Sequence, residues 1–365
     1  MSDGFGRFFL PGPTEVLPEI LQAQARPMIG HRSKDTENLL AAIQPPLRTA
    51  FRTQQPVIIS TSSATGLMEA AIRNGVKKKV LCLVNGAFSQ RFADIATACG
   101  KEVEVAKLDL GLTFEADQVR DLLKRAGADA VTLVHSESSS GALNPLPELA
   151  AAVREFPDVM LLVDGVTSVG GMPVEIDAWG LDFLVTGSQK ALALPPGLAF
   201  GVASPRLLET AKTIPGRGIY FDLVVYDEQI RNNQTPYTPA VQLLFALDAQ
   251  LKRIAAHGGI EKRWAEHDAM RARVERWAEE RGATFGATFL PKVGRRSWTV
   301  SCLKLLRPAP TGSEVSKGMK ARGFTIASGY KALKETSFRI GHMGDHTVKE
   351  LEAVLGALEE VLGRV

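Results

Sequence analysis

MLLVDGVTSVGGMPVEIDAWGLDFLVTGSQKALALPPGLAF, residues 160–200, contains two short apolar runs, each leading to a charged group. Leu161-Leu162-Val163 closes on Asp164, and Phe183-Leu184-Val185-Thr186 is followed by Gly187-Ser188-Gln189-Lys190. Unbroken apolar runs of this length, set off by Gly and Pro, read as strands buried on both faces. Such strands belong to parallel sheets covered by helices, whose ligands gather outside the carboxyl ends of the strands. Asp164 sits at one such end and Lys190 lies just beyond another. Fold and function therefore point to the same edge.

Working back toward the N-terminus, the same alternation recurs. Val57-Ile58-Ile59, Val80 to Val84, Glu102 to Leu108 and Ala130 to Val134 read as strands. Helical stretches at Gly66 to Asn74, Ser89 to Cys99, Glu115 to Arg125 and Leu146 to Glu155 separate them. Strands alternating with helices imply an α/β fold with a mostly parallel sheet. Forward of Phe200, the prolines of Gln234-Thr235-Pro236-Tyr237-Thr238-Pro239 break the pattern. A long helical region from Val241 to Glu280 follows, then strand, helix, strand (Ser337 to Ile340) and a last helix from Val348 to Leu362, the make-up of a smaller α+β unit. The expected organisation is an N-terminal arm over residues 1–20, a large ligand-binding domain over 21–240 and a small C-terminal domain over 241–365. Neither internal repeats nor low-complexity segments are present.

Composition narrows the function classes. A chain of 365 residues exceeds the usual single domain and buries about 75% of its unfolded surface without disulfide or metal staples. A net charge of +3 with interspersed signs lacks the clustered basic stripe of a nucleic-acid binder. The three cysteines, Cys82, Cys99 and Cys302, are isolated, so neither a disulfide framework nor a zinc site is expected and a reducing, cytoplasmic setting is the simplest reading. No signal-peptide pattern opens the chain and no run approaches the ~20 apolar residues of a membrane span. His342 and His346 are spaced i, i+4 without a third ligand, so no metal is expected.

A carboxylate and a lysine at neighbouring strand ends are what pyridoxal 5'-phosphate requires: lysine for the Schiff base, aspartate for the pyridinium nitrogen. The competing reading is a solvent-exposed helix-start lysine with Asp164 as a cap. Ser60-Thr61-Ser62-Ser63-Ala64-Thr65-Gly66 passes from strand to helix and is longer than a single cap needs, which favours phosphate binding by Ser63, Ala64 and Thr65. Phe88 ends the next strand–helix turn and offers a ring to stack on a cofactor; a core position is the alternative. His135-Ser136-Glu137-Ser138-Ser139-Ser140-Gly141 is an unusually polar turn that offers hydrogen bonds to a ring oxygen or a phosphate. Gly30-His31-Arg32-Ser33 opens a helix and reads equally as an anion site or a solvated cap. Arg339 stands in an apolar strand and needs a partner, for which a substrate carboxylate and a structural ion pair compete.

With these residues in place the chain resembles the class V aminotransferases of PLP fold type I, nearest the alanine–glyoxylate and serine–pyruvate or serine–glyoxylate group. The likeness is carried in order by Leu10-Pro-Gly-Pro, Gly30-His-Arg-Ser, Glu137-Ser-Ser-Ser-Gly, Val163-Asp-Gly-Val-Thr-Ser-Val-Gly-Gly, Gly187-Ser-Gln-Lys-Ala-Leu, Pro195-Pro-Gly, Thr235-Pro-Tyr-Thr-Pro and Phe338-Arg-Ile-Gly. The resemblance implies Lys190 as Schiff-base lysine and proton carrier, with Asp164 on the pyridine nitrogen and Val166 beside it. It implies Phe88 stacked on the ring, Ser139 near the ring oxygen, and Ser63, Ala64, Thr65 and Gln189 around the phosphate. Thr238 and Thr235 would reach the phosphate of a second subunit, making an active homodimer. Arg339 would clamp the substrate carboxylate, Gly12 would approach the substrate through its backbone, and His31 and Arg32 are further substrate-anion candidates. The implied activity is ping-pong transfer of an amino group from alanine or serine to glyoxylate or pyruvate.

Three alternatives compete. Phosphoserine aminotransferases share a His-Arg-Ser-Lys motif, but the Val163–Gly171 run and Pro195-Pro-Gly turn look unlike theirs. Cysteine desulfurases and lyases place a cysteine shortly before the substrate arginine, and Ile326 to Ser337 contains none. A non-catalytic ligand-binding α/β protein lacks support from any GxGxxG or GxxxxGK[ST] junction.

Overall fold

The computed structural model describes residues 5–363. Its main sheet has seven strands in the order β1-β9-β8-β7-β4-β2-β3. These are β1 (Ile58–Ser60), β2 (Lys79–Val84), β3 (Glu102–Lys107), β4 (Ala130–Val134), β7 (Met160–Asp164), β8 (Phe183–Gly187) and β9 (Ala199–Ala203), with the short hairpin β5 (Ser136–Glu137) and β6 (Ala142–Leu143) set off from the sheet. From β3 across to β8 the strands run parallel; β9 is antiparallel to both its neighbours. The architecture is the α/β one expected: a large unit on a mostly parallel seven-stranded sheet and a small C-terminal antiparallel sheet.

Period-two alternation divides the apolar runs between two cores. Leu161 and Val163 join the cluster with Leu133, Leu184 and Phe200, whereas Met160 and Leu162 join that with Leu67 and Met68. Burial on both faces explains why these strands read as continuous apolar runs. The same alternation directs Asp164, two residues beyond Leu162, to the face that carries α3 (Ala64–Gly75).

The small sheet, β10 (Ala287–Phe289), β11 (Val300–Leu305), β12 (Ala327–Ser328) and β13 (Ser337–Gly341), is antiparallel throughout, in the order β10-β11-β13-β12. Its core combines Phe338 and Ile340 with Met270, Trp277 and Leu358. The helical region expected over 241–280 is two helices, Val241–Ala256 and Gly259–Glu280, broken where Gly258 and Gly259 both take positive φ. The first helix buries Leu244, Phe245 and Leu247 in the large core although it follows the division placed at residue 241.

The N-terminal segment is built in. Phe9 is fully buried in the small-domain core, its N–H donating to Thr325 O and its carbonyl accepting from Gly341 N–H. Among the described residues no helix is long and apolar enough to cross a membrane, and no group of three or more His, Cys, Asp and Glu is arranged to hold a metal ion.

Candidate active site

Five chain segments line one cavity at the carboxyl edge of the large sheet, around residues 63–68, 88–91, 134–138, 164–167 and 189–190. Asp164 ends β7, with its carboxylate buried and Oδ1 accepting the Val166 N–H at 2.8 Å. Burial and the Glu137 charge push its pKa up to about 7, against the pull of that N–H, Lys190 and Arg91. Lys190 lies on the turn after β8, the neighbouring strand. Its Nζ donates to Pro11 O at 2.7 Å. Burial pulls its pKa down to about 8; Asp164 opposes the shift, while Arg339 and Arg91 add to it. Both side chains line a cavity of about 260 Å³.

Ser63, Ala64, Thr65, Phe88, Val166 and Gln189 line the same cavity, so eight of the residues expected from sequence meet there. Ser63 is the extended residue before α3, and its hydroxyl makes no capping bond. The first N–H groups of a helix have no intrahelical acceptor. Gln189 Oε1 is buried without a hydrogen-bond partner. An open helix start, free hydroxyls, a buried lysine and a strand-end carboxylate fit pyridoxal phosphate: phosphate at α3, aldehyde at Lys190, ring nitrogen at Asp164.

Two neighbours of the Phe88 ring were not foreseen as contributors, and one of them, Arg91, lines the cavity. Arg91 lies one turn after Phe88 on α4 (Ala87–Ala98), its guanidinium 4.9 Å from the Phe88 ring centroid. The i, i+3 spacing from Phe88 is the signal that could have found it. Tyr330, 5.7 Å from Phe88 between ring centroids, comes from the small domain and carries no local signal.

Glu137 explains the polar turn after β4. Its carboxylate accepts from Phe88 N at 3.1 Å, Ser89 N at 2.9 Å and Ser89 Oγ at 3.0 Å, locking the start of α4 to the β5 hairpin. A Cβ on Gly86 would lie 2.3 Å from the Glu137 side chain, so only glycine fits. Ser139 belongs to this cluster: it donates to Glu137 at 2.6 Å and accepts from Ala87 N at 3.0 Å. It does not line the cavity as expected; Ser136 and Ser138 do.

Arg339, on β13, reaches across from the small domain. Nε donates to Ser328 O and Nη1 to Ser138 O, both at 3.1 Å, and the guanidinium lies 5.3 Å from the Tyr330 ring centroid. Burial lowers its pKa from the ordinary arginine value. It enters no ion pair among the described residues, so a structural ion pair does not account for it, and it stands outside the lining of the Lys190 cavity. Gly12 has φ +119°, and a Cβ there would fall 2.2 Å from Lys190 Nζ.

The remaining expectations land elsewhere. Arg32 gives Nη1 to Thr235 O at 2.6 Å and Nη2 to Pro236 O at 3.0 Å; neither it nor His31 lines the Lys190 cavity. Two of its donors hold the Thr235–Pro236 turn, away from the Lys190 cavity of the same subunit. Thr235 is buried and donates to Tyr237 O at 2.8 Å, so its hydroxyl is committed; Thr238 is exposed. A second cavity beside this turn is lined by Arg32, Gly218, Ile219 and Tyr237.

The family model described as "Aminotransferase class-V" matches residues 16–294. The chain is similar to an uncharacterized aminotransferase of Methanocaldococcus jannaschii, 39% identical over 97% of this chain and 91% of the other. It is 32% identical to an L-aspartate–glyoxylate aminotransferase of Paracoccus denitrificans, over 93% of this chain and 86% of that one. Among solved structures, an alanine–glyoxylate aminotransferase of Nostoc superposes with a TM-score of 0.90 at 28% identity, over 98% of this chain and 95% of the other.

Proposed function

This chain belongs to the class-V aminotransferases, enzymes that use pyridoxal phosphate, and on that premise we propose that it transfers the amino group of alanine or serine to glyoxylate or pyruvate. The observation that carries the reading is the buried Lys190 amine beside Asp164 in one cavity, with Arg339 close enough to depress its basicity. Glyoxylate stands in the names of two relatives whose amino donors differ, which supports the acceptor more firmly than any one donor.

Bound pyridoxal phosphate supplies an electron sink that acidifies the Cα–H of an attached amino acid. The protein's part follows from its own groups. Asp164 holds positive charge at the ring nitrogen. Arg339 binds the substrate α-carboxylate and so sets which Cα bond faces Lys190. Lys190, with a pKa near 8, accepts that proton and returns it to the neighbouring carbon. Donor and acceptor use the same arginine in turn, so the first product leaves before the second substrate binds.

A desulfurase reading needs a reactive thiol near Arg339. Cys302 pairs with Arg339 across β11 and β13, but burial drives its thiol up to about 11, where it is inert. The phosphoserine reading is disfavoured because Arg32 lies outside the Lys190 cavity of its own subunit, with two of its five donors on the carbonyls of Thr235 and Pro236. The proposal extends to a homodimer: the exposed Thr238 and the 79%-exposed Ile219 flank the turn held by Arg32 and suit burial against a second copy. Sedimentation equilibrium at a dimer mass is the expected result, and a monomer would remove this part.

Half-reactions of the loaded enzyme with alanine, serine, aspartate, glutamate and phosphoserine, followed by loss of its visible absorption, test the donor. Alanine or serine should react fastest. Preference for aspartate or phosphoserine would overturn the donor assignment while leaving the family intact.

A further inference from the structure

We propose that Arg91 binds the cofactor phosphate, supplying its full positive counter-charge at the start of α3. The inference rests on the reading that the Lys190 cavity holds pyridoxal phosphate, and goes beyond it by naming what neutralises the dianion.

A phosphate monoester carries about −1.5 to −2 charges at neutral pH. The cradle at Ser63 and Thr65 offers hydroxyls and a helix terminus worth only about half a positive charge. Lys190 is consumed by its bond to the aldehyde, and Arg339, proposed for the substrate carboxylate, is not among the residues that line the cavity with Ser63 and Thr65. Arg91 is the other cation in the cavity lining, and it enters no ion pair among the described residues. Its Nη1 comes within 3.4 Å of Thr65 Oγ1, so it already addresses the cradle. The Phe88 face beneath it, 4.9 Å from the guanidinium carbon, limits rotation of the guanidinium group. A planar, pre-oriented guanidinium is well matched to phosphate oxygens.

The test uses the cofactor-free protein with Arg91→Gln and Arg91→Lys, comparing dissociation constants for pyridoxal phosphate and unphosphorylated pyridoxal. Thermal unfolding of each cofactor-free variant verifies that it is folded. Arg91→Gln should weaken pyridoxal phosphate about 10- to 100-fold, the value of a charged hydrogen bond, and leave pyridoxal unchanged. Arg91→Lys should fall between. Unchanged affinity for pyridoxal phosphate, or equal weakening for both compounds, overturns the proposal; the second result would make Arg91 a support for Phe88 instead. A wild type that fails to take up pyridoxal phosphate would sink the functional reading as well, whereas a loading, active wild type beside an unimpaired Arg91→Gln sinks only this inference.

Discussion

Burial lowers Lys190 to about 8 and raises Asp164 to about 7, the one cause acting on opposite charges. Lys190 must be neutral to attack an aldehyde, and its neutral fraction grows as pH rises. The rate at which the cofactor-free protein takes up pyridoxal phosphate should therefore climb with a midpoint near pH 8. A midpoint near 10.5, the ordinary lysine value, would contradict the burial assigned here. Because the Asp164 charge raises the lysine pKa, Asp164→Asn should move the midpoint lower still. Lys190→Ala should abolish both the visible band and turnover.

Among the elements, the N-terminal segment shows how a stretch with no regular structure becomes part of a site. Thr14 N–H donates to Gln189 O at 3.0 Å and Thr14 Oγ1 to Lys190 O at 3.2 Å, clamping the lysine turn from outside the sheet. Gly12 then needs both its positive φ and its missing side chain. Gly12→Ala should lower kcat/KM roughly 10- to 100-fold, from a backbone strain of ~1–3 kcal/mol at the reacting amine. Steady-state kinetics beside a thermal melt check this, and wild-type kcat/KM in a folded variant would refute it.

At the scale of the whole molecule, one buried carboxylate joins the small domain to the catalytic turn. Asp345 accepts from Arg263 at 2.8 Å, Arg253 at 2.6 Å and Gln250 at 2.8 Å. Arg263 also donates to Ala191 O, and Gln250 to Leu192 O, the two residues after Lys190. Burial alone would raise the Asp345 pKa, but the two arginines and Gln250 outweigh it and hold it below the usual aspartate value. A depressed carboxyl stabilises the fold above its unfolded pKa near 3.8 and loses that contribution as pH falls through its folded value. Asp345→Ala leaves Arg263 buried without its counter-charge and should cost about 3–5 kcal/mol in denaturant unfolding. A change under about 1 kcal/mol, the scale of an exposed pair, would show that the network is solvated.

Local pattern sufficed for what depends on neighbours in the chain. The strands at 130–134 and 160–164, the last helix and the placing of Asp164 and Lys190 at strand ends follow from apolar runs and their punctuation. So does the presence of Ser63, Ala64 and Thr65 at the cavity, since the proposed phosphate cradle is one contiguous turn. Tertiary structure alone decided which distant groups meet: Tyr330 beside Phe88, Arg339 over the Ser138 carbonyl, Pro11 against Lys190. It also fixed the partners of groups that local pattern offered. Ser139 donates to Glu137, and Arg32 to the carbonyls of Thr235 and Pro236, because a buried carboxylate and unsatisfied carbonyls claim nearby donors. Hydrophobic periodicity is written residue by residue, whereas competition for hydrogen-bond donors is settled only when the chain has closed on itself.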